Sequence, residues 1–456
     1  MRKQISIYAD TAFVLIWWFA IRILGRLKVG AIMRARAGDN RRALFVSWWL
    51  PPMVSPGTHR PASQIKYGME IGWRLSVIAG PAPETVSTAG EYLARSMPVS
   101  LEAIRVSPPA LTSSWRLTPR LHGDAFIDAL AMAWAGMVRF RSDPPEIVVA
   151  SGPPFSTFVA AFYLAEFYSV PLVLDYRDLW SECQFGYYNV GRDFHAWERM
   201  CLARASAVIF TTNAQLKHQL KTFDVLSRDR CHVVENGWEP EDIPKASVDS
   251  TLNDGLIRLS FVGTLTDHSS PLPFLNVLSR VLARRADIRA RVRIRLVGLA
   301  SREVEATLMH EPCRDVIERI DYVSKPHAFD LMRSSAALLI FAVPGLAMYR
   351  PGKIYDYLAT GRPILVYGHS GETSELVRTL GIGRLVAEGD DIALERAIDD
   401  IVAGQFATWS ASELSAWLSE RTREVLARKF FSIIERLIET RSCALSNGEH
   451  RRPRRQ

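Results

Sequence analysis

Residues 349–367 read Tyr349-Arg350-Pro351-Gly352-Lys353-Ile354-Tyr355-Asp356-Tyr357-Leu358-Ala359-Thr360-Gly361-Arg362-Pro363-Ile364-Leu365-Val366-Tyr367. An apolar run at 338–341 precedes them. Pro351-Gly352 opens a helical segment that starts near Lys353, Gly361 stops it, and a second apolar run begins after Pro363. Strand, turn, helix and strand in this order form the repeating unit of a parallel α/β sheet. The helix start follows the carboxyl end of a strand, where doubly wound sheets hold their ligands. It offers free backbone N–H groups and a partial positive charge, to which Arg350 and Lys353 add full charges. A diphosphate suits that surface, and Asp356, one turn in, is placed to accept both hydroxyls of a ribose. Spacing alone is explained equally well by a solvated first turn behind a capping loop.

The same alternation extends in both directions. Upstream, strands are expected at 43–47, 75–78, 147–150, 172–174 and 208–210, with helices at 61–71, 156–168 and 194–204. Downstream, strands are expected at 258–262, 294–297, 320–323, 338–341, 364–367 and 384–386. Residues 239–253 are polar, carry Pro240 and Pro244 and show no period, so they read as a linker. The expected architecture is α/β, with two Rossmann-like doubly wound domains facing an interdomain cleft. The boundaries are 1–40 for an N-terminal apolar and basic segment, 41–240 for the N-terminal Rossmann-like domain and 241–425 for the C-terminal Rossmann-like domain. A C-terminal helix takes 426–442, and a basic disordered tail takes 443–456.

With 456 residues, the chain is too long for one core. It is 48% hydrophobic and 23% charged, as folded domains are. Its five cysteines are scattered, odd in number and form no CxxC pair, so neither a zinc site nor a disulfide framework is indicated, and a reducing cytoplasm fits. A net charge of +8 favours anionic partners. Residues 11–24 (TAFVLIWWFAIRIL) are apolar only as far as Arg22, short of the roughly 20 residues a span needs. Trp17 and Trp18 suit a membrane-surface helix, and packing on the protein body is the competing reading. No GxxxxGK[ST], HExxH, GxSxG or DxD motif occurs.

The matches at Pro351, Lys353, Asp356, Tyr357, Leu358, Ala359, Gly361 and Pro363 resemble the donor-site segment of glycosyltransferase family 4. The resemblance covers about 42–425. The segment 45–60 resembles the family's first strand and loop, Asp175-Tyr176-Arg177-Asp178-Leu179-Trp180 resembles a D-x-R-D-x-W segment, and Gly263-Thr264, Gly298 and Gly371-Glu372 fit later landmarks. It implies a GT-B fold and a metal-independent, retaining transfer of a sugar from a nucleoside diphosphate sugar. Two departures stand out. The first acid of the family's E-x7-E pair falls at Met348, and Thr264 replaces an Arg that binds diphosphate.

On this reading Lys353, Arg350 and Asp178 are the expected catalytic residues. Asp356, Gly57, Arg60, Gly263, Thr264, Pro351, Gly352 and Glu372 are expected at the donor. Gly152, Arg177 and Trp180 are expected on the acceptor side, where an Arg177–Asp178 structural pair and aromatic packing of Trp180 remain alternatives. No metal or resident cofactor is expected, the sugar nucleotide being a co-substrate. The partners are that donor, a glycan or lipid-linked acceptor and an anionic membrane surface, with no nucleic acid. The expected location is cytoplasmic, peripheral on the inner face of the membrane. A sugar-nucleotide epimerase of similar fold and an inactive sugar-nucleotide-binding scaffold are the alternatives.

Overall fold

The computed structural model describes residues 41–107, 120–121, 124–183, 192–244 and 254–449. The N-terminal segment 1–40, with its expected surface helix, lies outside them, as does the tail beyond 449. The chain divides into two compact units, one made of Met1–Glu235 with Glu424–Gln456 and the other of Asn236–Arg423.

The first unit runs β1 (Arg42–Ser47), α1 (His59–Glu70), β2 (Arg74–Ala79), α2 (Thr88–Arg95), β3 (Glu102–Arg105), α3 (Phe126–Arg139), β4 (Ile147–Gly152), α4 (Ser156–Tyr168), β5 (Leu172–Tyr176), α5 (Arg192–Arg204), β6 (Ala207–Phe210), α6 (Asn213–Thr222) and β7 (Cys231–Val233). Its strands pair in parallel in the order β3-β2-β1-β4-β5-β6-β7. Every residue of β4 is buried, because both faces of a parallel sheet are covered. The covering helix α4 is apolar nearly all round and is buried along most of its length, from Ser156 to Ala165.

The second unit runs β8 (Ile257–Val262), α7 (Leu272–Arg284), α8 (Ala286–Arg291), β9 (Val292–Val297), α9 (Arg302–Leu308), β10 (Ile317–Ile320), α10 (Lys325–Arg333), β11 (Ala337–Ala342), α11 (Lys353–Ala359), β12 (Ile364–Gly368), α12 (Glu372–Thr379), β13 (Gly383–Ala387), α13 (Asp391–Val402) and α14 (Ala411–Ser419). Its parallel order is β10-β9-β8-β11-β12-β13. Both sheets therefore reverse direction beside their first strand, between β1 and β4 and between β8 and β11. These are the topological switch points, where loops part and leave room for a ligand.

A last helix, α15 (Arg423–Glu449), lies against the first unit's sheet. Its Phe430, Phe431, Ile434 and Ile438 share a core with Phe45, Val77 and Val149. The Phe431 ring lies 5.0 Å from Trp73 and 6.2 Å from Phe45. The helix continues to Glu449, so the tail expected from 443 is helical at its start. One strand was placed wrongly. β10 ends at Ile320, where the expected strand began, and Tyr322 beyond it is 50% exposed.

Candidate functional site

The sequence segment that decides the fold sits at the second unit's switch point. Buried Tyr357 on α11 fixes it to β8, because its hydroxyl accepts from the Val262 N–H at 2.7 Å and donates to the Val262 carbonyl at 3.2 Å. The next residue, Gly263, has φ +148, a backbone conformation that favours glycine. A Cβ there would stand 2.6 Å from Nζ of Lys353. That amine lies 3.8 Å from the centre of the Phe261 ring. Lys353 keeps some exposure as a residue, but its charged end is enclosed, and burial lowers its pKa to about 7. Gly298, which follows β9, has φ +123, and a Cβ on it would land on the Gly263 carbonyl. The close approach of two backbones at this corner therefore needs Gly298, while Gly263 is required by its own positive φ and by the Lys353 side chain.

Asp356 is also buried. Its Oδ2 accepts from Nζ of Lys325 at 2.5 Å, and its Oδ1 is buried with no donor. An unsatisfied buried acceptor costs about 1–3 kcal/mol, which an incoming hydroxyl relieves. The sequence expectation is that this carboxylate accepts both hydroxyls of a ribose; one of its oxygens already holds Lys325, which that expectation does not include. No local pattern marks Lys325, whose partner lies in another helix.

The remaining donor candidates surround this corner. Arg350 forms an ion pair with Glu372 at 2.7 Å, so its charge is largely balanced within the protein. Glu372 opens α12 and its N–H bonds the Ala347 carbonyl at 2.8 Å, while Gly371 packs its backbone against Ala347. Pro351 is half-buried, and Gly352 is exposed with open space around it. Thr264 is exposed, and its carbonyl accepts from the Ser269 hydroxyl at 2.7 Å.

In the first unit, the structure corrects two assignments. Arg60, expected at the donor, is buried and makes a two-pronged ion pair with Asp175, with bonds of 2.7 and 2.8 Å. Its remaining nitrogen donates to the Glu235 carbonyl at 2.9 Å. The guanidinium is thus consumed by the core of its own unit. Trp180, expected to stack on an acceptor, is 2% exposed and stacks on Phe155 at 5.1 Å and 6°. An indole sealed in a core cannot meet a sugar.

Arg177 bonds the carbonyls of Gly152 and Pro153 and lies where a Cβ on Gly57 would be, so it stitches together the loops after β1, β4 and β5. The same crowding explains Gly57, and Gly152 leaves room for Phe155 and Phe158. Asp178 is half-exposed beside Arg177. Glu198 clamps this loop from α5. It accepts from Ser181 N–H at 2.8 Å, Ser181 Oγ at 2.5 Å, Tyr176 Oη at 3.0 Å and Gln219 Nε2 at 3.1 Å. Burial raises its pKa to about 7, although these donors favour the charged form.

Residues 63–237 match the family described as a glycosyl transferase 4-like domain. None of the curated proteins matches the chain in sequence. Similar solved structures include Anabaena HepE in complex with UDP-glucose, at 14% identity and TM-score 0.64 over 86% of this chain and 99% of that one. Sucrose-phosphate synthase from Thermosynechococcus elongatus aligns at 13% identity and TM-score 0.68, covering 88% of this chain and 100% of that one. A glycosyltransferase from Rickettsia africae aligns at 14% and 0.64, covering 88% and 99%. At these identities, the likeness establishes the fold.

Proposed function

We propose that this chain, a family 4-like protein with the GT-B glycosyltransferase fold, moves a sugar from a nucleoside diphosphate sugar to a glycan or lipid-linked acceptor. The observation that carries this reading is the enclosed amine of Lys353 at a switch point, packed under Gly263 and one helical turn from the half-satisfied carboxylate of Asp356. Among the described residues Lys353 has no acid partner. A cation without an acid, next to an acceptor without a donor, suits a diphosphate joined to a ribose.

As the glycosidic bond breaks, negative charge grows on the departing diphosphate. Lys353, held in place before the reaction, stabilises that charge without reorganising. Arg350, ion-paired with Glu372, is the second cation of this segment. The sugar passes through an oxocarbenium-like state, by analogy with glycoside chemistry. Retention of configuration and the absence of a metal or resident cofactor belong to this proposal. Asp178 and Arg177, on the loop after β5, are the acceptor-side groups. Residues 5–28 are proposed to lie on an anionic membrane surface of the cytoplasm, where a lipid-linked acceptor stays. No helix among the described residues is long and apolar enough to cross a membrane.

The test is incubation of the purified protein with labelled sugar nucleotides and lipid-linked acceptors, starting with UDP-glucose because that is the ligand of the HepE structure. Transfer abolished by Lys353→Met supports the reading. Binding without transfer to any acceptor points to a scaffold, and epimerised donor points to the epimerase alternative.

A further inference from the structure

Lys325 opens α10, and its ammonium reaches Oδ2 of Asp356 at 2.5 Å. Asp242 lies 4.0 Å from the same nitrogen, and the Phe329 ring centre lies 5.7 Å from it. The lysine is therefore flanked by two carboxylates, and the short bond goes to Asp356. Oδ1 of Asp356 is left buried without a donor. A carboxylate in a two-pronged grip on the vicinal hydroxyls of a ribose offers one oxygen to each. Here the ammonium already takes a lone pair of Oδ2, so Oδ1 is the oxygen with its full accepting capacity left.

We propose that Lys325 sets the hydroxyl selectivity of the donor nucleotide, by holding one oxygen of Asp356 so that the carboxylate reads a single ribose hydroxyl through the other. The proposal rests on the reading of Asp356 as the ribose-binding acid. Lys325 is a positioning residue: it acts on the ligand through Asp356. A charge-assisted hydrogen bond is directional, so fixing Oδ2 also fixes where Oδ1 points.

The experiment is equilibrium binding of UDP, GDP and ADP to the full-length protein, followed by the 2′-deoxy and 3′-deoxy forms of each that binds. In the wild type, loss of one hydroxyl weakens binding about tenfold or more, and loss of the other less than about threefold. Lys325→Met frees the second oxygen, so the two losses become similar. Lys325→Arg restores the asymmetry. Equal losses in the wild type, or an asymmetry unchanged in Lys325→Met, overturn the proposal and leave the nucleotide site standing. If none of the three nucleotides binds, the reading of Asp356 falls together with the proposal. Equal losses in the wild type overturn the proposal even should a variant fail to fold.

Discussion

The amine of Lys353 lies 3.8 Å from the centre of the Phe261 ring, and its pKa is brought down to about 7 by burial from an ordinary 10.5. The folded chain thus binds fewer protons than the unfolded chain between those two values. Stability rises with pH across this window, and the penalty is greatest below about pH 7. Lys353→Met should therefore raise the melting temperature at neutral pH and below, with the gain fading toward pH 10.5. Melting curves across pH check this. A bound diphosphate favours the ammonium, so nucleotide binding takes up a proton above about pH 7 and weakens as pH rises. Calorimetric titration in two buffers of different ionisation heat should show that uptake in the wild type and lose it in Lys353→Met.

Gly298 and Gly389 both have positive φ, at +123 and +82, but only at Gly298 would a Cβ meet the Gly263 carbonyl. Substitution by alanine strains both backbones. Gly298→Ala also displaces the corner beside Lys353 and should weaken nucleotide binding by about tenfold to a hundredfold, the range for losing one hydrogen bond to a charged group. Gly389→Ala should leave affinity within about twofold. Binding titrations of the two variants, with melting curves as controls, separate strain from displacement.

Arg60→Met removes one partner of the buried pair with Asp175. The expected loss is about 3–5 kcal/mol of stability, since an uncompensated carboxylate stays behind. Nucleotide affinity of the folded fraction should not change. Denaturant unfolding and binding titration together distinguish this role from the donor contact expected from sequence. The double change Arg60→Met with Asp175→Leu should recover much of the lost stability.

Phe431→Ala opens a cavity between α15 and the sheet that carries Phe45 and Trp73. A cost of about 3–5 kcal/mol is expected. The residue belongs to the first unit, so nucleotide binding at the second unit's switch point should persist in protein that remains folded. Denaturant titration followed by tryptophan fluorescence measures the loss.

Sequence patterning located the elements whose side chains are uniformly buried. The helix expected at 156–168 is observed as Ser156–Tyr168, because an all-apolar helix on a buried sheet has no ambiguous face. Edge elements were harder to read. Glu102–Arg105 has no fully buried residue, and Cys231–Val233 is too short to show a period. At the site, Lys353, Gly263 and Asp356 stood in a motif and could be found. Lys325 could not, since it pairs with a residue 31 positions away. Trp180 and Arg60 misled because residues beside a ligand-binding loop and residues that hold that loop share the same stretch of sequence. Only burial tells them apart.

The central claim is that the second unit binds a nucleoside diphosphate through Lys353 and Asp356. The most direct measurement is equilibrium binding of UDP, GDP and ADP to the wild type, Lys353→Met and Asp356→Ala, each confirmed folded by its melting curve. The account predicts that at least one nucleotide binds the wild type. Each substitution should weaken that binding by about 1–3 kcal/mol, the usual loss for a hydrogen bond to a charged group. Nucleotide affinity unchanged in both folded variants, or no binding of any nucleotide to the wild type, would contradict it.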